Sequence, residues 1–193
     1  MYNNPKVAQA ANNAIAKVYQ VQGGEKFNVE DYAGAAEVFA KGYAANKRNT
    51  DLAMLLAESY FKQDLYNEGM KVCSEVMALP ASPMFEKGKA EAKQKMNLYT
   101  NNKIATLQQA NDFDGIITMA EGLDNQALAQ KITVQAYLLK KDYDKVIELG
   151  EAAAEAQTDE EDKSAVYFQL GTAYNAKEMK DKAVAALSKV TAG

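Results

Sequence analysis

Residues 165–190 read AVYFQLGTAYNAKEMKDKAVAALSKV, two short amphipathic runs joined by AKEMK. In the first run Tyr167, Leu170, Gly171 and Tyr174 recur at i, i+3, i+4 and i+7, the spacing that collects side chains on one face of an α-helix. Ala183, Leu187 and Val190 share a face of the second run in the same way. Gly171 sits in the middle of its face, where a large side chain would hold two helix axes apart and a missing one lets them close. A single hairpin of this size buries too little to be stable, so the pattern requires neighbours of its own kind.

The neighbours are present. EDYAGAAEVF, DLYNEGMKVC, NDFDGIITMA and KDYDKVIELG each open a helical run with an aromatic residue and place a small or branched residue three positions later. The pairs are Tyr32/Ala35, Tyr66/Gly69, Phe113/Ile116 and Tyr143/Val146, and Lys180/Ala183 keeps the phase in the last hairpin. Successive openings lie 34, 47, 30 and 37 residues apart. Six residues before each of the last four openings stand Tyr60, Leu107, Tyr137 and Tyr174, and three residues earlier stand Ala57, Ile104, Val134 and Gly171. Periods in this range are the mark of stacked repeats.

This pattern resembles the tetratricopeptide repeat family, whose first helix carries an aromatic residue, Leu-Gly and then Tyr, and whose second carries Ala, an apolar residue and Ala. The final hairpin matches best, through Tyr167, Leu170, Gly171, Tyr174, Ala183, Leu187 and Val190. The second repeat follows with Ala53, Leu56, Ala57, Tyr60, Tyr66, Gly69, Cys73 and Val76. The chain departs from the family in having no tryptophan, Gly at its family position once, and only Pro80 near the closing-proline position. The resemblance implies an all-α fold, a right-handed solenoid of about five antiparallel helix pairs in one domain over residues 1–193. The approximate repeats are 5–45, 50–80, 83–121, 125–156 and 160–190. It also implies a concave groove lined by the first helix of each pair.

Local signals place ten helices, at about 5–22, 29–45, 50–63, 66–78, 83–110, 113–121, 125–140, 143–156, 160–176 and 180–190. Ser82 followed by Pro83 is an N-cap with proline in the first turn. Thr158 with Glu161 three residues later reads as a capping box, and Asn49 or Thr50 and Asn28 read as further caps. Gly23 and Gly24 read as the stop of the first helix, leaving QGGEKFN as a connector. The lengthened first helix of the third pair accounts for the 47-residue spacing.

Composition narrows the function. The chain is 48% hydrophobic with three prolines, enough for a core and too apolar for disorder. Its net charge is −4, with Lys and Glu interspersed, and it shows no basic stripe for nucleic acid. Arg48 is its one arginine and it has no histidine. Arginine clamps, the commonest general base and the commonest metal ligand are thereby missing. Cys73, at an apolar repeat position between Met70 and Met77, reads as a buried structural thiol rather than a nucleophile. TDEEDK lacks the ladder of a calcium loop and fits a helix N-terminus, where carboxylates favour the dipole. QGGEK lacks the phosphate-loop spacing, the tyrosines occupy packing positions, and EKGKAEAKQKMN reads as a solvated face. The expectation is a protein without catalytic residues, cofactor or metal.

The groove positions implied by the repeats are Met54, Glu58 and Phe61, then Asn101, Ala105 and Gln108. Lys131, Gln135 and Leu138 follow, and last Phe168, Thr172 and Asn175. Amides, single charges and a few large apolar groups suit an extended peptide. Some family members hold a C-terminal carboxylate with a clamp of two lysines, two asparagines and an arginine. Lys131 resembles one clamp lysine, but Gln135 replaces the asparagine and no arginine follows, so that mode is not expected. The leading expectation is a protein-interaction scaffold binding a peptide segment or partner subunit. The alternative is a structural spacer in a longer bacterial envelope or secreted protein. No run reaches the roughly 18 apolar residues of a membrane span. The first residues show no signal peptide, both ends read as cuts within a longer protein, and the Arg-poor composition points toward a bacterial envelope if a signal was trimmed. The last helix presents Val184 and Leu187 with little charge to cover them, so further repeats, a second copy of the chain or a partner are expected there.

Overall fold

The structure, a computed structural model, describes residues 5–191. They form ten α-helices and no strand, in the order α1 (Pro5–Asn28), α2 (Tyr32–Ala45), α3 (Thr50–Lys62), α4 (Tyr66–Met77), α5 (Pro83–Gln109), α6 (Phe113–Glu121), α7 (Gln126–Leu139), α8 (Tyr143–Glu155), α9 (Glu160–Ala176) and α10 (Lys180–Leu187). The even-numbered helices begin at Tyr32, Tyr66, Phe113, Tyr143 and Lys180, the five openings read from the sequence. None of these helices is long and apolar enough to cross a membrane.

One turn is built five times. Glu30, Asp64, Asn111, Lys141 and Glu178 each adopt a left-handed backbone, with φ of 61°, 58°, 55°, 60° and 59°. The next residue's N–H then reaches back five residues to a carbonyl of the preceding helix. These bonds run from Asp31 to Lys26 (3.0 Å), Leu65 to Tyr60 (3.0 Å), Asp112 to Leu107 (2.8 Å), Asp142 to Tyr137 (2.9 Å) and Met179 to Tyr174 (2.9 Å). This is the Schellman closure of a helix end, usually built with glycine. In three of the five turns the residue after the left-handed one caps the next helix. Asp31 accepts from the Gly34 N–H, Asp112 from Gly115 and Asp142 from Lys145.

The chain divides into two compact units, with the boundary between Asn102 and Lys103, inside α5. In the first unit α1 packs on α2, α2 on α3 and α3 on α4. Phe39, Leu52, Ala53, Ala57, Cys73 and Val76 form its buried centre. The first part of α5 adds Phe85, Ala92, Met96 and Thr100, buried at the helical spacing that makes one stripe. In the second unit α6 to α10 pack each on the next, and α7 also meets α9. Its core is Val134, Val146, Ala153, Ala154, Val166, Tyr167, Leu170, Ala173 and Ala186.

Several local readings change. The first helix does not stop at Gly23 and Gly24 but runs on to Asn28, because Gly23 is a contact surface for the buried Phe39 ring. Asp31, not Asn28, caps α2, and Asp159 displaces Thr158 as the cap of α9 by accepting from Glu161 and Asp162. Asn49 caps α3 as read, accepting from the Leu52 N–H. The last helix ends at Leu187, and Thr191 beyond it donates its N–H to Ser164 Oγ at the start of α9 (3.1 Å). On α10, Val184 is 68% exposed and Leu187 40%.

Candidate functional site

The first-helix positions of the first unit are closed by its own α5. Met54 is only 3% exposed and Phe61 is buried. The Tyr99 ring stacks on Phe61, with centroids 4.0 Å apart and planes at 11°. Its hydroxyl donates to Glu58 Oε1 at 2.6 Å, while Lys95 Nζ donates to Glu58 Oε2 at 2.6 Å. Burial pushes the Glu58 carboxyl up. The hydrogen bonds from Lys95 and Tyr99, with the charges of Lys95 and Lys62, outweigh it and leave Glu58 below the usual carboxylate range. Burial and the same carboxylate push the Tyr99 phenol up. Glu58 therefore has its acceptors engaged, and Met54 and Phe61 serve the core. Further along α5, Asn101, Ala105 and Gln108 are exposed.

In the second unit α7 and α9 lie side by side and leave a groove of about 940 Å³. Gln135, Leu138 and Leu139 line it from α7, Ala165, Phe168 and Gln169 from α9, and Val190 from the tail beyond α10. Ser164 and Glu161 complete it toward the start of α9. Phe168 is 57% exposed, so more than half of this large apolar residue meets water. Lys131 lies one helical turn from Gln135 and pairs with Asp162 at 2.6 Å. Thr172 donates to the Phe168 carbonyl at 2.8 Å, and both Thr172 and Asn175 are exposed beyond the groove lining.

Three of the positions read from the sequence, Gln135, Leu138 and Phe168, thus meet at one groove. Glu161, Ala165, Gln169, Leu139 and Val190 belong to it as well. Glu161 and Ala165 stand seven and three residues before Phe168 on the same helical face, so the spacing carries their signal, although Glu161 reads first as a helix-dipole carboxylate. Val190 comes from outside any helix, and no periodicity points to it.

Leu138, Leu139, Ala165, Phe168 and Val190 make the apolar lining of the groove, and Gln135, Glu161, Ser164 and Gln169 the polar one. One of these is unsatisfied: the buried carbonyl oxygen Oε1 of Gln169 accepts no hydrogen bond. Elsewhere, burial pushes the Cys73 thiol up to about 12, so it stays protonated and inert at neutral pH. Among the described residues no group of three or more Cys, Asp or Glu is placed to hold a metal ion.

Helical hairpins closed by the same left-handed turn define the class: an all-α hairpin-repeat protein. No family model and no curated protein matches the chain. Among solved structures, a crystal structure of the MamA protein aligns over 91% of this chain and 90% of that one, at 21% identity and a TM-score of 0.41. A likeness of that order carries no argument about what the chain does.

Proposed function

We propose that the chain is a non-catalytic interaction module that docks an extended segment of another protein in the α7/α9 groove. The observation that carries this reading is Phe168, a large apolar side chain held open to water opposite Leu138 on a groove of about 940 Å³. Large aromatic groups exposed on a rigid helical face are the usual anchors of protein interfaces. The inert Cys73 and the lack of histidine support a role without chemistry.

The experiment is selection of randomised peptides against the whole chain, followed by fluorescence anisotropy on the winners. Phe168→Ser is expected to weaken saturable binding at least about tenfold, the weight of one interface anchor, with an unchanged melting temperature. Winners indifferent to Phe168→Ser would overturn the reading. A second reading, a spacer with no client, is favoured by the first unit, where Met54, Glu58 and Phe61 are all taken up by internal contacts. The same selection decides it, because a spacer yields no saturable binder.

A further inference from the structure

The polar lining of the α7/α9 groove holds one charged group, the exposed carboxylate of Glu161, beside the amides of Gln135 and Gln169 and the Ser164 hydroxyl, and that charge selects what enters it. Glu161 lines the groove and has no cation of its own among the described residues. The two lysines near it are engaged elsewhere: Lys131 pairs with Asp162 at 2.6 Å and Lys163 with Glu155 on α8 at 3.0 Å. The charge left on this face is therefore negative. Gln169 Oε1 adds a second acceptor, buried and without a donor. A buried acceptor left unpaired carries its desolvation cost in the free protein, and a ligand donor removes it. Gln169 is half-buried and lines the groove, and the soft terminal torsion of glutamine lets its amide turn toward an occupant.

We infer that the segment bound here carries a large apolar residue next to a lysine or arginine. The apolar side chain packs between Leu138 and Phe168, the cation pairs with Glu161, and a backbone N–H of the segment donates to Gln169 Oε1. A segment with an acidic residue at the same place meets Glu161 as a like charge, which docking penalises. The inference rests on the groove being the docking face proposed above.

The test uses phage-displayed random peptides, selected on the full chain and counter-selected on Phe168→Ser. Peptides enriched in a Phe168-dependent way are expected to carry Lys or Arg within two positions of a large apolar residue. Glu161→Lys is expected to reverse the preference, weakening these peptides by about tenfold and favouring acidic ones. Gln169→Leu is expected to weaken binding while raising the melting temperature, a combination that mere loss of packing does not produce. Phe168-dependent peptides with no basic bias, or with a bias that Glu161→Lys leaves unchanged, would overturn this inference and leave the docking face standing. Failure to enrich any Phe168-dependent peptide would overturn both.

Discussion

Gly23 lies directly beneath the ring of Phe39. A Cβ placed on Gly23 would stand 2.4 Å from the ring carbons Cδ1 and Cε1, and Phe39 is fully buried. Its neighbour Gly24 meets nothing within 4 Å. Two adjacent glycines in one helix thus have opposite reasons to exist, the first a close approach and the second none that packing supplies. Gly23→Ala is expected to destabilise the chain by about 1–3 kcal/mol, the usual cost of overpacking a core. Gly24→Ala is expected to stabilise it by roughly 0.5–1 kcal/mol, the helix-interior advantage of alanine. Urea denaturation of the two variants checks the pair, and equal effects would refute this account of α1.

Lys141 holds the left-handed position in the turn between α7 and α8, with φ of 60° and an exposed side chain. The left-handed region costs an ordinary residue about 1–2 kcal/mol, and glycine occupies it freely while losing more chain entropy on folding. Lys141→Gly is expected to raise stability by roughly 0.5–1 kcal/mol. Asn111→Gly at the equivalent turn should change little, because asparagine already tolerates this region. Thermal melts of both variants test the turn assignment.

Glu58 sets an acid limit on stability. Its folded pKa lies below the ordinary 4.5, so its contribution is complete above that value and is lost as pH falls through the lower folded one. Melting temperatures taken from neutral pH down to about 3 should fall less steeply in Glu58→Gln than in the parent. At neutral pH the variant should be weaker by about 1–3 kcal/mol, because Lys95 and Tyr99 lose a charged acceptor. An acid limb of unchanged slope would mean that Glu58 does not bear this load.

Cys73 should be silent to thiol reagents in the folded state. It is fully buried and its pKa is pushed up to about 12. At mildly alkaline pH the labelling rate with a disulfide reagent should follow unfolding of the first unit and accelerate sharply in urea. Cys73→Ala is expected to cost about 1 kcal/mol, the central value for point substitutions. Fast labelling in buffer would contradict the buried position.

The helix count, the pairing and the phase of the repeats were legible in the sequence, and the reason is physical. Period and phase are set by residues three and four apart, and an aromatic opening such as Tyr66 or Tyr143 marks the same step of each repeat. The turns between them were half legible. Asp31, Asp112 and Asp142 are ordinary cap residues, but nothing local announces that Glu30, Lys141 or Glu178 will take a left-handed backbone. At those three turns the flanking helices pack on each other, α1 on α2, α7 on α8 and α9 on α10, and that return imposes the left-handed backbone.

The groove shows the same division. Spacing alone places Leu138 and Phe168 on the first-helix face of their repeats, and by the same rule it places Met54 and Phe61 there. Tertiary structure separates the two cases. Tyr99, thirty-eight residues along the chain from Phe61, stacks on that ring and hydrogen-bonds Glu58, whereas Phe168 receives no such cover. A periodic sequence determines which side of a helix is apolar. Whether that side is buried depends on what a distant part of the chain brings against it, and no local period encodes that.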